Sequence, residues 1–185
     1  MYLVPLPFEI VHLLDRLGSP PRLTAHLTLV HDVACMLTLK IDEIWPKLDY
    51  NREMVHLGAA IHDIGKILHP TELSGPGHLH EVAGEMILNA QGFPHRLAHI
   101  ACSHGQWANE SDIGMEDLFV ALADTWWRGK RDEALETAVT QQIIQQIHDE
   151  QWQVFSHLDT IAADIAEKAD ARLAWQSGQP INSQG

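Results

Sequence analysis

Residues 20–46 read PPRLTAHLTLVHDVACMLTLKIDEIWP, and they decide the fold class. Pro20 and Pro21 suit the first turn of a helix, where an amide hydrogen would go unpaired anyway. Leu23, Leu27, Val30, Ala34, Leu37 and Ile41 then recur at steps of four, three, four, three and four. That spacing lines one face of a helix, and Trp45-Pro46 closes it. The same kind of patterning predicts helices over residues 7–17, 52–66, 80–89, 95–104, 115–128, 131–153 and 155–175. Gly18 stops the first of these. Pro, Gly and polar residues mark loops at 68–77 and 105–114. No alternating pattern bounded by hairpin turns interrupts them, so the chain is expected to be all-α.

Composition narrows the class further. The chain has 185 residues, with 12 Lys and Arg against 25 Asp and Glu, for a formal net charge of −13. The length suits one domain with its own core, expected over residues 1–176, with a polar, disordered tail over 177–185. An acidic surface repels nucleic-acid backbone, so polymeric nucleic acid is not an expected partner. No apolar run reaches the roughly 18–20 residues that cross a bilayer. Cys35 and Cys102 lack C-x-x-C spacing, which excludes a disulfide scaffold or Cys-rich zinc site. The start, Met1-Tyr2-Leu3-Val4-Pro5, is not a signal peptide, and a cytoplasmic location is expected.

Histidine is the abnormal residue, at 13 of 185. His62-Asp63 gives an imidazole and a carboxylate near the end of the helix over 52–66, enough to flank a metal but not to fill its shell. On the helix over 20–46, His26 lies about 40° from the centre of the apolar face, counting 100° per residue. His31 lies on the flank and Asp32 further out. His26 is therefore the residue expected to point inward, where a buried histidine needs a partner. His80 starts a helix, His104 ends one, and Asp124 interrupts an apolar run in which a carboxylate should be paired or metal-bound. Together these are four imidazoles and two carboxylates with no thiolate. That set suits one or two hard or borderline divalent ions: Mn, Fe, Co, Ni, Zn or Mg.

The order His26 … His62-Asp63 … Asp124 resembles the H…HD…D signature of the HD-domain phosphohydrolases, over roughly residues 20–130. His26-x3-Val30-x3-Ala34 is similar to that family's opening helix. His62-Asp63-Ile64-Gly65-Lys66 matches its HDIGK form. His80-Glu81-x-x-Gly84-x-x-Ile87-Leu88 resembles the segment that supplies a further histidine in binuclear members, and His104 falls where those carry another. The resemblance implies an α-helical bundle. It also implies His26, His62, Asp63 and Asp124 on a first ion, and Asp63, His80 and His104 on a second, with Asp63 bridging. After His104 the chain reads Gly105-Gln106-Trp107, without the GYP motif of the cyclic-di-GMP phosphodiesterase branch.

The expected reaction is hydrolysis of a small phosphate ester, such as a nucleotide, by water activated at the metal. Asp63 and Lys66 are the expected catalytic residues. Lys66 sits three residues after Asp63, placed to meet the phosphate, and Arg128, Lys130 and Arg131 form a compact basic cluster that offers further phosphate contacts. His69 and His78 lie in the loop over the site. Trp126 and Trp127 read as core aromatics. The C-terminal helices complete the bundle or a homodimer interface. Two other readings fit the same residues: a non-catalytic metal- or nucleotide-binding regulatory module, and a di-iron oxygenase of HD type.

Overall fold

The computed structural model describes residues 2–181. Among them the chain forms nine α-helices and no strand: α1 (Phe8–Arg16), α2 (Pro21–Ile44), α3 (Arg52–Ile61), α4 (Leu79–Ala90), α5 (His95–Gln106), α6 (Met115–Trp126), α7 (Glu133–Ile147), α8 (Gln151–Ala166) and α9 (Ala169–Ser177). Two 3₁₀ turns, Ile64–Ile67 and Pro70–Leu73, lie between α3 and α4.

α2 is the central rod. Its six stripe residues, Leu23, Leu27, Val30, Ala34, Leu37 and Ile41, are each fully buried. Pro21 opens it, and it ends at Ile44, with Trp45 as its cap. It packs against α3, α6, α8 and α9, which explains a departure from the sequence expectation. His31 and Asp32, expected on the flank and beyond it, are both buried. The N-terminal segment covers that side, where the Val4 amide donates to Asp32 Oδ1 at 2.9 Å. α9 covers more of it through Arg172, whose guanidinium reaches Met36 Sδ at 3.5 Å.

Two helix starts carry an N-cap side chain that accepts from the first turn. Asn51 accepts from the Met54 amide at 3.0 Å to start α3, and Asp132 accepts from the Leu135 amide at 3.0 Å to start α7. Helix ends were less visible in the sequence. The helix expected over 131–153 stops at Ile147, because His148 takes a left-handed conformation at φ 58°. The helix expected over 155–175 is two helices, parted where Lys168 leaves helical dihedrals at φ −105° and ψ 7°. Of the tail expected to be disordered, residues 182–185 lie outside the described residues. In the described part, Arg22 donates to the carbonyls of Ser177, Gln179 and Pro180 at 2.8–3.1 Å. No helix among the described residues is long and apolar enough to cross a membrane.

Candidate metal centre

His62 and Asp63 stand where α3 gives way to a 3₁₀ turn. A continuous helix through Lys66 is expected from the sequence, but the structure ends it at Ile61. Asp63 sits at φ −100° and ψ 10°, in the sparsely populated bridge region where active-site residues recur. In the tighter turn, side chains three apart eclipse, so Lys66 falls directly over Asp63 and its Nζ donates to Oδ2. The 3₁₀ turn in turn packs on α4.

Five segments bring the six expected ligands together. α2 supplies His26, the α3 end His62 and Asp63, α4 His80, α5 His104 and α6 Asp124. His26 Nε2 lies 2.9 Å from Asp63 Oδ2, 3.3 Å from Asp124 Oδ1 and 3.2 Å from His62 Nε2. His62 Nε2 is 3.6 Å from both of those carboxylate oxygens. The other oxygen of Asp63, Oδ1, faces His80 Nε2 at 3.0 Å and His104 Nε2 at 3.7 Å. Asp63 thus divides its two oxygens between two pairs of imidazoles. Within His26, His62 and Asp124, and again within His62, Asp63 and His104, ligand atoms lie within 4.8 Å of one another. Metal–ligand bonds of about 2.0–2.2 Å at tetrahedral angles separate neighbouring ligand atoms by about 3.3–3.6 Å, close to what is observed.

The hydrogen bonds behind the ligands show that these groups suit a cation. His62 Nδ1 donates to the Ala59 carbonyl at 2.9 Å, and His104 Nδ1 to the Ile100 carbonyl at 3.1 Å. A carbonyl only accepts, so Nδ1 carries a proton in each ring and Nε2 is the nitrogen turned into the cluster. Bare nitrogens and carboxylate oxygens are all acceptors, and gathered at this range they repel unless a proton or metal ion lies among them.

The electrostatics say the same. Burial alone would raise the Asp63 carboxyl, but His62, His26, His80 and Lys66 outweigh it and hold it well below the usual range. Asp124 is likewise held low against burial by His26 and His62. His26 is raised despite burial, because Asp124 and Asp63 favour its charged form. His104 is pushed down to about 4 by burial and by the neighbouring His62, which keeps it a neutral donor of electron pairs.

Two clefts open onto this cluster. One, of about 370 Å³, has the loop residues Leu73, Ser74 and Gly75 on one side and Trp127, Leu173 and Gln176 on the other. The second, of about 340 Å³, is bordered by His78, His80, His104 and Trp107. Asp63, Lys66 and Arg128 border both.

Of the basic cluster, Arg128 is therefore at the site, while Lys130 is exposed and borders neither cleft. Arg131, also expected at the phosphate, is turned away. Its Nε and Nη2 bind Glu136 at 2.6 and 2.7 Å, and Nη1 binds Asp159 at 2.8 Å. A buried glutamate on the neighbouring helix holds this cation, which borders neither cleft. His78 borders the second cleft, with Nδ1 2.9 Å from Glu81, whereas His69 borders neither. Trp126 is core, its Nε1 donating to Glu136 at 3.2 Å. Trp127 is buried too, but it walls the first cleft edge-on to the His26 ring, with centroids 5.3 Å apart.

Sequence reasoning missed Glu72 and Glu81. Glu72 meets His80 from the loop, and Glu81 is a buried carboxylate joined to His78 and Gln106. Glu72 lies in a Pro/Gly-rich loop without periodicity, so nothing local marks it. Glu81 follows His80 directly, and that adjacency was the readable signal.

No curated protein and no solved structure matches the chain. The HD domain family matches residues 10–126, more than half of the chain and all six converging ligands. The all-α bundle, the broken His62-Asp63 helix end and that match agree, and the chain belongs to the HD-domain metal-dependent phosphohydrolase superfamily.

Proposed function

We propose that the protein hydrolyses a small phosphate ester, such as a nucleotide, with one or two divalent ions held by His26, His62, Asp63 and Asp124 and by Asp63, His80 and His104. The observation that carries this reading is the meeting of the six ligands with Lys66 and Arg128 at the junction of two clefts. Divalent ions bound there supply Lewis acidity toward phosphoryl oxygens and make water a nucleophile near neutral pH. The chain's own residues do the rest. The carbonyls of Ala59 and Ile100 fix the tautomers of His62 and His104. Lys66 and Arg128 hold the phosphate oxygens by charge-assisted hydrogen bonds. Trp127 closes the space beside His26 and excludes bulk water from it. The two cations suit an anionic phosphate group, which the hydrolase reading supplies.

The test is chelator-stripped protein reloaded with Mn, Fe, Co, Zn or Mg and assayed on a panel of phosphomonoesters and diesters, with inorganic phosphate release as the readout. Metal-dependent release on at least one class is expected. Folded, metal-loaded protein that is inert across the panel yet binds a nucleotide tightly would replace this reading with the regulatory module. Oxygen uptake with a di-iron spectrum would replace it with the oxygenase.

A further inference from the structure

Glu72 comes from a loop that the ligand set does not use, yet its carboxylate makes three bonds to the start of α4. Oε2 lies 2.6 Å from His80 Nδ1 and accepts the His80 amide at 3.1 Å, while Oε1 accepts the Leu79 amide at 3.2 Å. The side chain is 7 % exposed. It therefore satisfies two of the amides that a helix start leaves unpaired and grips the one ring on that helix that faces Asp63.

The approach depends on Gly77. A Cβ there would stand 2.3 Å from both Cδ and Oε1 of Glu72, so any larger residue would push the carboxylate off His80. Glu72 also lines the first cleft, beside Leu73, Ser74 and Gly75. The same loop thus walls the cleft and steadies His80.

We propose that Glu72 is the positioning residue for the second ion: it fixes the proton of His80 on Nδ1 and aims Nε2 at Asp63 Oδ1. The inference rests on the two-ion reading above. His62 and His104 are held by neutral carbonyls; His80 alone among the three is held by a carboxylate, which also raises the ring's basicity as a ligand. Removing such a partner typically weakens metal binding by about 10–100-fold.

The experiment is calorimetric titration of Mn²⁺ into the stripped protein, with Glu72→Ala, Glu72→Gln, Gly77→Ala and His80→Ala alongside. The expected result is two ions on the wild type and loss of the second in His80→Ala. In Glu72→Ala and Gly77→Ala the second ion should bind about 10–100-fold more weakly, with the first unchanged. Glu72→Gln should fall between, since an amide oxygen still accepts but carries no charge. Gly77→Ala is the sharper variant, because it displaces the carboxylate without removing it. A wild-type titration in Glu72→Ala, or equal weakening of the first site, would overturn the role of Glu72 and leave the two-ion reading standing. A single ion on the wild type, indifferent to His80→Ala, would overturn both.

Discussion

Gly65 and His80 touch through their backbones: a Cβ built on Gly65 would stand 1.9 Å from the His80 carbonyl oxygen. The glycine in the His62–Lys66 motif is thus a contact surface. It lets the 3₁₀ turn carrying Asp63 and Lys66 lie against the first turn of α4, and so it sets the distance between Asp63 and His80. Gly65→Ala should force the two apart. Overpacking of this kind costs about 1–3 kcal/mol and occasionally more, and a backbone clash belongs at the upper end. Urea unfolding should show that loss, and Mn²⁺ titration of the folded fraction should show the second ion weakened more than the first.

Asp63→Asn should remove both ions. The amide keeps the shape but not the charge, and it offers one oxygen where two now face separate imidazole pairs. Since nucleophile activation and charge neutralisation fail together, kcat should fall by about 100-fold or more. Metal analysis after dialysis checks the first statement and phosphate release the second. Any retained stoichiometry of two would contradict the bridging geometry.

Lys66→Ala and Arg128→Ala should act on substrate binding, and Lys66→Ala should also remove the ammonium bonded to the Asp63 carboxylate. A hydrogen bond to a charged group contributes about 1.5–3 kcal/mol, which corresponds to about 10–150-fold in kcat/KM, carried mainly by KM. Arg131→Ala should leave KM alone, because its guanidinium is committed to Glu136 and Asp159. That change should instead lower stability, by about 1 kcal/mol given its partial exposure. Steady-state kinetics beside thermal melts separates the three residues.

Acid should destabilise the protein through His31. Burial, with His56 beside it, pushes this imidazole from 6.5 down to about 4. The folded state holds it neutral, so its contribution is complete above pH 6.5. It is lost as pH falls from 6.5 towards 4, where the unfolded chain takes up the proton first. A gap of that size corresponds to about 3 kcal/mol at most. His31→Gln should flatten the dependence of the urea midpoint on pH across this window, measured on stripped protein so that proton competition at the ligands does not contribute.

The fold was readable because α2 announces itself: its stripe of six apolar residues is the stripe the structure buries. The same phase placed His26 inward. Phase alone failed for His31 and Asp32, since a rod surrounded on most sides has no exposed flank, and the segments that cover it lie far away in the chain. The end of α3 was misread because nothing in Ile61-His62-Asp63 breaks a helix locally. Its conformation is imposed by the packing of Gly65 on α4. Arg131 and Glu72 were misjudged or missed for a related reason. Each is governed by a side-chain partner on another segment, and no periodicity records such a pairing.

Arg22, at the head of α2, holds the carbonyls at the end of α9, and that tether presents Leu173 and Gln176 to the first cleft. These two wall residues come from beyond residue 126, outside the stretch that the family shares, whereas every ion ligand lies inside it. The ion ligands and this wall of the cleft are therefore drawn from different parts of the chain. On the proposed hydrolase reading, substitutions in the last helix would retune which organic group is admitted while the ion ligands stay untouched, and α9 together with Arg22 would be the natural unit to exchange.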